Sequence, residues 1–347
     1  MWDLDNKTPF EADRSWVRDR DGADVWIVAV TASFRVDDDG LQQLDPNPAP
    51  VHRALSFHGD PATTGLSHET DFVIGKRATD VLVDGHAYAP EGQPVAQLDI
   101  RLRVGPIDKR LRVHGDRRYR FGLGGSQPGP ATPFTQIPIV YERAFGGTHP
   151  TTTAGHPQNP VGVGFADNRE SLVGHPAPNI EPIGGNPRRA AGLGPIARHW
   201  SPRRDYAGTY DAQWKAHRCP LEPWDLDDRF HQCAPADQQV EGFLRGGETV
   251  ELHHLTPDRV LRFDLPRLRF QLTTRFAGGT TRTHDAVLHT LHLRPDTRSF
   301  SMTYHSRLDC HRDMHHLERT RIGLKRRVGV PTHEFQSGMW MPPGSQP

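Results

Sequence analysis

Two His-x-Cys pairs stand fourteen residues apart: His217-Arg218-Cys219 and His231-Gln232-Cys233. Two imidazoles and two thiolates are formally enough for a tetrahedral Cys₂His₂ zinc site. A second group gathers Cys310, His311, His315 and His316, where His311 and His315 would share a face if the segment were helical. Neither group has a tight Cys-x₂-Cys knuckle, and 21 histidines spread over one chain produce close pairs by chance. The expectation is no bound metal and no cofactor, with His217, Cys219, His231 and Cys233 kept as the candidates for zinc.

Carboxylates offer a different chemistry. Glu142, Glu181, Asp211 and Asp225 lie in an aromatic-rich stretch, and two of them facing one groove would suit hydrolysis of a carbohydrate or of peptidoglycan. Other nucleophile and metal patterns fail. Gly124-Gly125-Ser126-Gln127-Pro128 is one residue short of a hydrolase elbow and lacks the following helix. Gly162-Val163-Gly164 has no third glycine for phosphate binding. His68-Glu69 and His333-Glu334 never reach a second histidine at the zincin spacing.

The elements that would position these groups are mostly strands. Val25–Val36 is rich in β-branched residues and ends at the turn Asp37-Asp38-Asp39-Gly40. Leu98, Ile100, Leu102 and Val104 alternate with charged residues, Gly105-Pro106 permits a reversal, and Leu111 and Val113 resume, which is the pattern of a hairpin. The C-terminal third repeats this: Leu261, Phe263 and Leu265, then Leu268, Phe270 and Leu272. Val287–Leu293 and Arg298–Tyr304 follow around a turn, with Phe300, Met302 and Tyr304 marking a buried face. Helix is scarce. Asp211 is placed to cap a short one through Trp214 and His217, and Asp313–Arg319 is a second candidate.

Between these β-rich ends (1–121 and 241–305), residues 122–240 are loop-like, with Gly and Pro every few positions. They also carry Phe134, Tyr141, Phe145, Phe165, Trp200, Tyr206, Tyr210, Trp214, Trp224 and Phe230. Large aromatics offset the cost of ordering by burying much area, so the segment is expected to be ordered against the sheets. The fold class is therefore mainly β: antiparallel, sandwich-like sheets with a long ordered Gly/Pro-rich loop segment and little helix. A single β-rich domain over 1–335 and a disordered tail over 336–347 complete the expectation.

Composition narrows the function. The chain has 42 basic against 42 acidic residues, so no basic excess favours nucleic acid. The acidic start Met1-Trp2-Asp3-Leu4-Asp5 lacks the layout of a signal peptide, and Val25–Val30 is too short to span a bilayer. Three cysteines, an odd number, do not make a disulfide framework. A cytoplasmic protein without membrane insertion is expected.

The middle segment carries a resemblance. Tyr141-Glu142-Arg143-Ala144-Phe145-Gly146-Gly147 precedes Asn159-Pro160-Val161-Gly162-Val163-Gly164-Phe165. Then come Pro178-Asn179-Ile180-Glu181, Gly194-Pro195-Ile196, Trp200, Pro202-Arg203 and Ala207-Gly208-Thr209-Tyr210-Asp211. Trp214, Asp225-Leu226-Asp227 and Ala234-Pro235-Ala236-Asp237-Gln238 close the series. In that order, with Asn6–Phe10, Lys76–Val81 and Val113–Arg117 before them, these motifs resemble a bacterial family long labelled a domain of unknown function, over roughly residues 6–266. Its members are typically encoded beside type VI secretion spike and effector genes.

The resemblance implies an adaptor or chaperone, not an enzyme. It would hold a secreted effector and help seat it, often through a PAAR-type tip, on the valine-glycine-repeat spike; no catalytic residues come with it. Structural loop roles are expected for Glu142, Arg143, Phe145, Gly146, Gly147, Asn159, Pro160, Asn179, Glu181, Asp211, Asp225, Asp227, Asp237 and Gln238, with Asp225 and Asp227 pairing Arg203 or Arg204. Aromatics and arginines dominate interface hot spots, so Trp200, Arg203, Tyr210 and Trp214 are the partner-binding candidates. A carboxylate hydrolase, and a structural part of the secretion machine itself, stand as alternatives.

Overall fold

The computed structural model describes residues 2–122, 125–166 and 172–325. The tail expected over 336–347 and His333-Glu334 lie outside the described residues. The protein is mainly β, with several mixed and antiparallel sheets and, among the described residues, no closed barrel. The largest sheet runs, in spatial order, Gln239–Glu241, Ala78–Val83, Val287–Arg294, Ser299–His311, Asp24–Val36 and Glu11–Arg18. Gln42–Leu44 adds a seventh strand beside Asp24–Val36.

A five-stranded sheet orders Ile180–Pro182, Ile107–His114, Gln97–Val104, Thr249–His253 and Val260–Asp264. A four-stranded one orders Asp3–Asn6, Leu317–Leu324, Phe270–Phe276 and Thr281–Asp285. The expected hairpin forms, with Val104 opposite Ile107 across the turn. Not every pairing is antiparallel. Ala78–Val83 runs parallel to Val287–Arg294, and Asp3–Asn6 runs parallel to Leu317–Leu324.

One apolar core joins the three sheets. Val28, Val30, Ala32 and Phe34 from the large sheet meet Ile100, Leu102 and Val104 from the second and Phe270 and Leu272 from the third. Phe263 stacks on Phe300 at 4.8 Å, and Phe270 meets Tyr304 edge-on at the same distance. Burying each such side chain is worth roughly 1.5–3 kcal/mol.

Alternation predicts that the other face of Ser299–His311 meets water. It does not. Ser301, Thr303 and His305 are as buried as Phe300, Met302 and Tyr304, because loops cover the polar side of the large sheet. Thr31 and Ser33 on the neighbouring strand are buried likewise.

The covering loops contain little helix. Ala212–His217 is the one α-helix among the described residues, and the Asp211 side chain caps it by accepting from the Trp214 N–H. The second expected helix reduces to a 3₁₀ turn, Asp313–His316, and Leu317–Leu324 then continues as strand. Glycine holds the loops close: Gly146 has φ +151° and Gly147 has φ +92°. A Cβ on Gly147 would sit 2.2 Å from the Gly162 carbonyl oxygen. Gly147→Ala should therefore cost more than about 1–3 kcal/mol, the usual strain of a residue forced into such backbone. A lower urea midpoint at unchanged m-value would register that loss.

Candidate functional site

The strands of the large sheet place Thr290, His292 and Arg294 at alternate positions facing the covering loops, next to Thr31, Ser301 and Thr303. Residues 49–76 and Cys233 close over them, leaving a narrow cleft lined mainly by polar side chains that opens to solvent.

Ion pairs organise the floor. Lys76 Nζ lies 2.6 Å from Asp80 Oδ2, with 3 % and 0 % of the two side chains exposed. Lys76 also donates to Thr290 Oγ1 at 3.0 Å. Burial alone would lower the Lys76 pKa, but Asp80 outweighs it and raises it. Glu69 takes Arg203 Nη2 at 2.8 Å and Arg198 Nη2 at 2.8 Å. Burial would raise that carboxyl, yet Arg203 and Arg198 hold it down at about 2. Asp71 is different: burial pushes it up to about 6 against a single bond from the His52 N–H.

Histidines form the wall. His52 stacks on His68 at 4.0 Å, and His68 lies 5.1 Å from His292. Deeper in the same layer His289 stacks on His305 at 4.1 Å. Burial drives all of them toward the neutral form: His68 to about 3, His305 to about 4, and His289 and His292 well below the usual value.

Two of the four partner-binding candidates must be withdrawn. Trp200 is fully buried, edge-on to Tyr141 at 5.4 Å, in a small core with Leu66 and Ala197. Arg203 is 2 % exposed and spends its N–H groups on Glu69 and on the carbonyls of Phe230 and Ile196. A side chain with no exposed surface cannot anchor a partner without the loop opening. The expected pairing of Arg203 or Arg204 with Asp225 or Asp227 is likewise overturned. Asp225 accepts from Thr209, Asp227 accepts from Arg229, and the ion pair of Arg204 is with Asp205.

Tyr210 and Trp214 lie outside. Tyr210 is 53 % exposed, and its ring meets Trp214 at 4.7 Å. The Trp214 Nε1–H donates to the Leu221 carbonyl at 2.8 Å, which pins the indole to the loop after the helix. That loop ends at Trp224, 64 % exposed, with the Arg218 guanidinium 3.4 Å above its ring. The expectation that the loop aromatics bury themselves on the sheets therefore fails for Tyr210 and Trp224. Nearby Arg229 covers Tyr206 at 4.1 Å. The result is a solvent-facing patch of Tyr and Trp rings roofed by arginines.

The loop motifs are bonded among themselves. Asn159 is fully buried and donates to the carbonyls of Tyr141 and Phe145, while Pro160 next to it is half-buried. Arg143 pairs with Asp116 at 2.7 Å. Asn179 donates to the His114 carbonyl. Glu181 takes Arg117 and, at 3.3 Å, His114. Gln238 donates to the carbonyls of Val81 and Leu193, and Lys109 bridges Asp237 and Gln238 at 2.8 Å each. Glu142 accepts the Gly65 N–H through Oε1, while its buried Oε2 has no partner among the described residues. It lines a recess of about 330 Å³ together with Asp84, His58 and Tyr141.

The zinc candidates are scattered. Cys233 is buried with its thiol 3.3 Å from Asp80 Oδ2, and burial pushes that thiol up; Cys219 is exposed. His311 ends a strand instead of sharing a helix face with His315. Among the described residues, no three His, Cys, Asp or Glu side chains converge as metal ligands, and no helix is long and apolar enough to cross a membrane. The hydrolase-like segment is strand as well: Ser126 lies in Gly125–Pro128, and Gly124 falls outside the described residues.

Sequence reasoning missed the cleft. Its strand residues are Ser, Thr and His at alternate positions, a pattern that ordinarily signals a wet face. Trp224 gave no usable signal either: like Trp200 it stands between polar or Pro residues, and its neighbours do not tell its exposure.

No curated protein and no solved structure matches the chain. A family model described as an uncharacterized protein conserved in bacteria (DUF2169) matches residues 21–305, which starts after Asn6–Phe10 but runs past the last motif quoted above and takes in Asp24–Val36, Val287–Arg294 and the first half of Ser299–His311. With most of its length matched, the chain belongs to this bacterial family.

Proposed function

We propose that the protein is a non-catalytic cytoplasmic adaptor that binds a type VI secretion effector, or the PAAR-type tip joined to it, and promotes loading onto the valine-glycine-repeat spike. One observation carries the proposal beyond the sequence resemblance. The 204–230 loops hold Tyr210, Trp214 and Trp224 at or near the surface, with Arg218 over the Trp224 ring, on an ordered scaffold. Tyr, Trp and Arg supply most hot spots, and a rigid aromatic loses little entropy when a partner covers it. A patch of this composition fits the centre of a standard interface of roughly 1,200–2,000 Å².

Co-purification from the native host tests this. Trp224→Ala and Tyr210→Ala should abolish recovery of one effector while the melting temperature stays within error, since neither side chain is core. Trp200→Ala should instead cost about 3–5 kcal/mol of stability, the range for emptying an indole site. Unchanged effector recovery in the Trp224→Ala/Tyr210→Ala double variant would remove the patch from the interface. Deletion of the gene with every effector still exported would remove the adaptor function altogether.

A second assignment, a carbohydrate- or peptidoglycan-active hydrolase, is favoured by the recess that Glu142 shares with Asp84. Of the other carboxylates considered for it, Glu181 is held in its strand by Arg117, and Asp211 and Asp225 are bonded within the 204–230 loops. Release of sugars from peptidoglycan, lost in Glu142→Gln and in Asp84→Asn, would establish the hydrolase.

A further inference from the structure

We propose that the cleft over the polar face of the large sheet binds a small oxyanion, held between the Arg294 guanidinium and the His292 ring. Arg294 stands at the end of its strand, half-buried, with no carboxylate within ion-pair distance among the described residues. Its side-chain bond there is from Nη2 to His68 Nε2, at 3.2 Å. A guanidinium carries five N–H donors, so most of this fork faces the cleft unspent. His292 is 95 % buried, and its Nε2 has no partner among the described residues although the ring lines the cleft. An orphaned buried nitrogen costs about 1–3 kcal/mol and calls for a ligand or a water.

The charges around the cleft favour an anion over a cation. Lys76 is neutralised by Asp80, and Glu69 is neutralised by Arg198 and Arg203. Arg294 is left as the uncompensated positive group at the wall, with Asp45 and Asp84 acting on it only at longer range. Because Arg294 donates to His68 Nε2, the His68 proton sits on Nδ1. A metal ion would meet the guanidinium charge directly. Asp71 is the one acid that opposes an anion, and burial has already pushed its carboxyl up to about 6. Planar or tetrahedral oxyanions accept two parallel N–H bonds from arginine, which no halide does. Free inorganic ions and the carboxylate of an organic ligand share this chemistry.

Calorimetric titration of the full chain with sodium sulfate, and separately with sodium acetate, tests the site at constant ionic strength. Saturable binding is expected for at least one; tighter sulfate marks a site for free inorganic anions, and tighter acetate marks one for carboxylates. Sulfate does not titrate near neutrality, so its affinity should rise several-fold from pH 7.5 to pH 6 as Asp71 loses its charge. His292→Phe should weaken binding at least tenfold, and Arg294→Met should abolish it. If Arg294→Met fails to reach the native circular dichroism spectrum, Arg294→Lys keeps the charge, removes the fork, and should lose at least tenfold. Heats that never saturate, as expected if the cleft holds only water, would overturn the proposal. So would affinities unchanged in His292→Phe and in the folded Arg294 variant.

Discussion

Acidification from pH 7 to pH 5 is expected to lower the melting temperature steeply, by roughly 10 °C or more. The cause is the layer of neutral histidines beneath the loops. His231, His289, His292 and His305 are each at most 5 % exposed, and burial lowers the pKa of all four. His231 and His305 have folded values of about 4, and burial holds His289 and His292 well below the usual value, against 6.5 when unfolded. Between those limits the unfolded chain binds more protons than the folded one, so stability is full above pH 6.5 and declines as pH falls. At pH 5 a histidine with a folded value of about 4 costs about 2 kcal/mol, and the other two add losses of the same sign. Together the four approach the whole stability of a typical domain, about 5–15 kcal/mol.

The carboxylates alter this only in part. Asp71, raised to about 6, works in the opposite sense and offsets about 1 kcal/mol by pH 5. Glu69, held at about 2, keeps its contribution until the pH drops below 4.5, its unfolded value. The pairing of His289 with His305 makes the second proton harder to add than the first, so the decline should be broad. Melting curves from pH 7.5 to pH 4.5, with proton uptake on unfolding, measure the effect. A melting temperature unchanged down to pH 5 would show that these histidines are already protonated or solvated in the folded protein.

A single-residue loss as large as that of Trp200→Ala is expected from Lys76→Met. Asp80 is fully buried, and Lys76 is its only cationic partner among the described residues. Gln232 Nε2 and the Cys233 N–H, both at 2.9 Å, would remain as donors, but neither carries charge. Removing one member of a buried pair strands the other, at a cost of about 3–5 kcal/mol. Arg229→Met supplies the contrast: its pair with Asp227 is largely in water, and the urea midpoint should not move. If Lys76→Met also leaves the midpoint in place, the Asp80 carboxylate is better solvated than its burial implies.

The strands were legible because alternation is a local signal. Leu98 to Val113 specify a hairpin through residue type and a Gly-Pro turn, and the Asp211 cap follows equally from near neighbours. What lies above a strand is not local. Ser301, Thr303 and His305 have the sequence signature of a solvated face, and only the return of residues 49–76 and 195–235 buries them. Trp200 and Trp224 pose the same difficulty in a loop. Both are flanked by small or polar residues, yet one ends in a core with Tyr141 and the other in water. The family was legible because its motifs are contiguous, whereas the binding surface is assembled from exposure, which spacing does not encode.

The large sheet also sets a timetable for the nascent chain. Its longest pairing joins Asp24–Val36 to Ser299–His311, with Phe34 opposite Phe300. At about 5–20 residues per second, the ribosome leaves the first of these strands waiting roughly 15–50 s for the second. During that wait Val28, Val30 and Phe34 have neither their core nor their neighbouring hydrogen bonds on that side. Pairings of such sequence separation form slowly even once both strands exist. An apolar strand of 13 residues with one edge open is a natural chaperone substrate. A protein proposed to shelter others would itself depend on shelter until its last third is made.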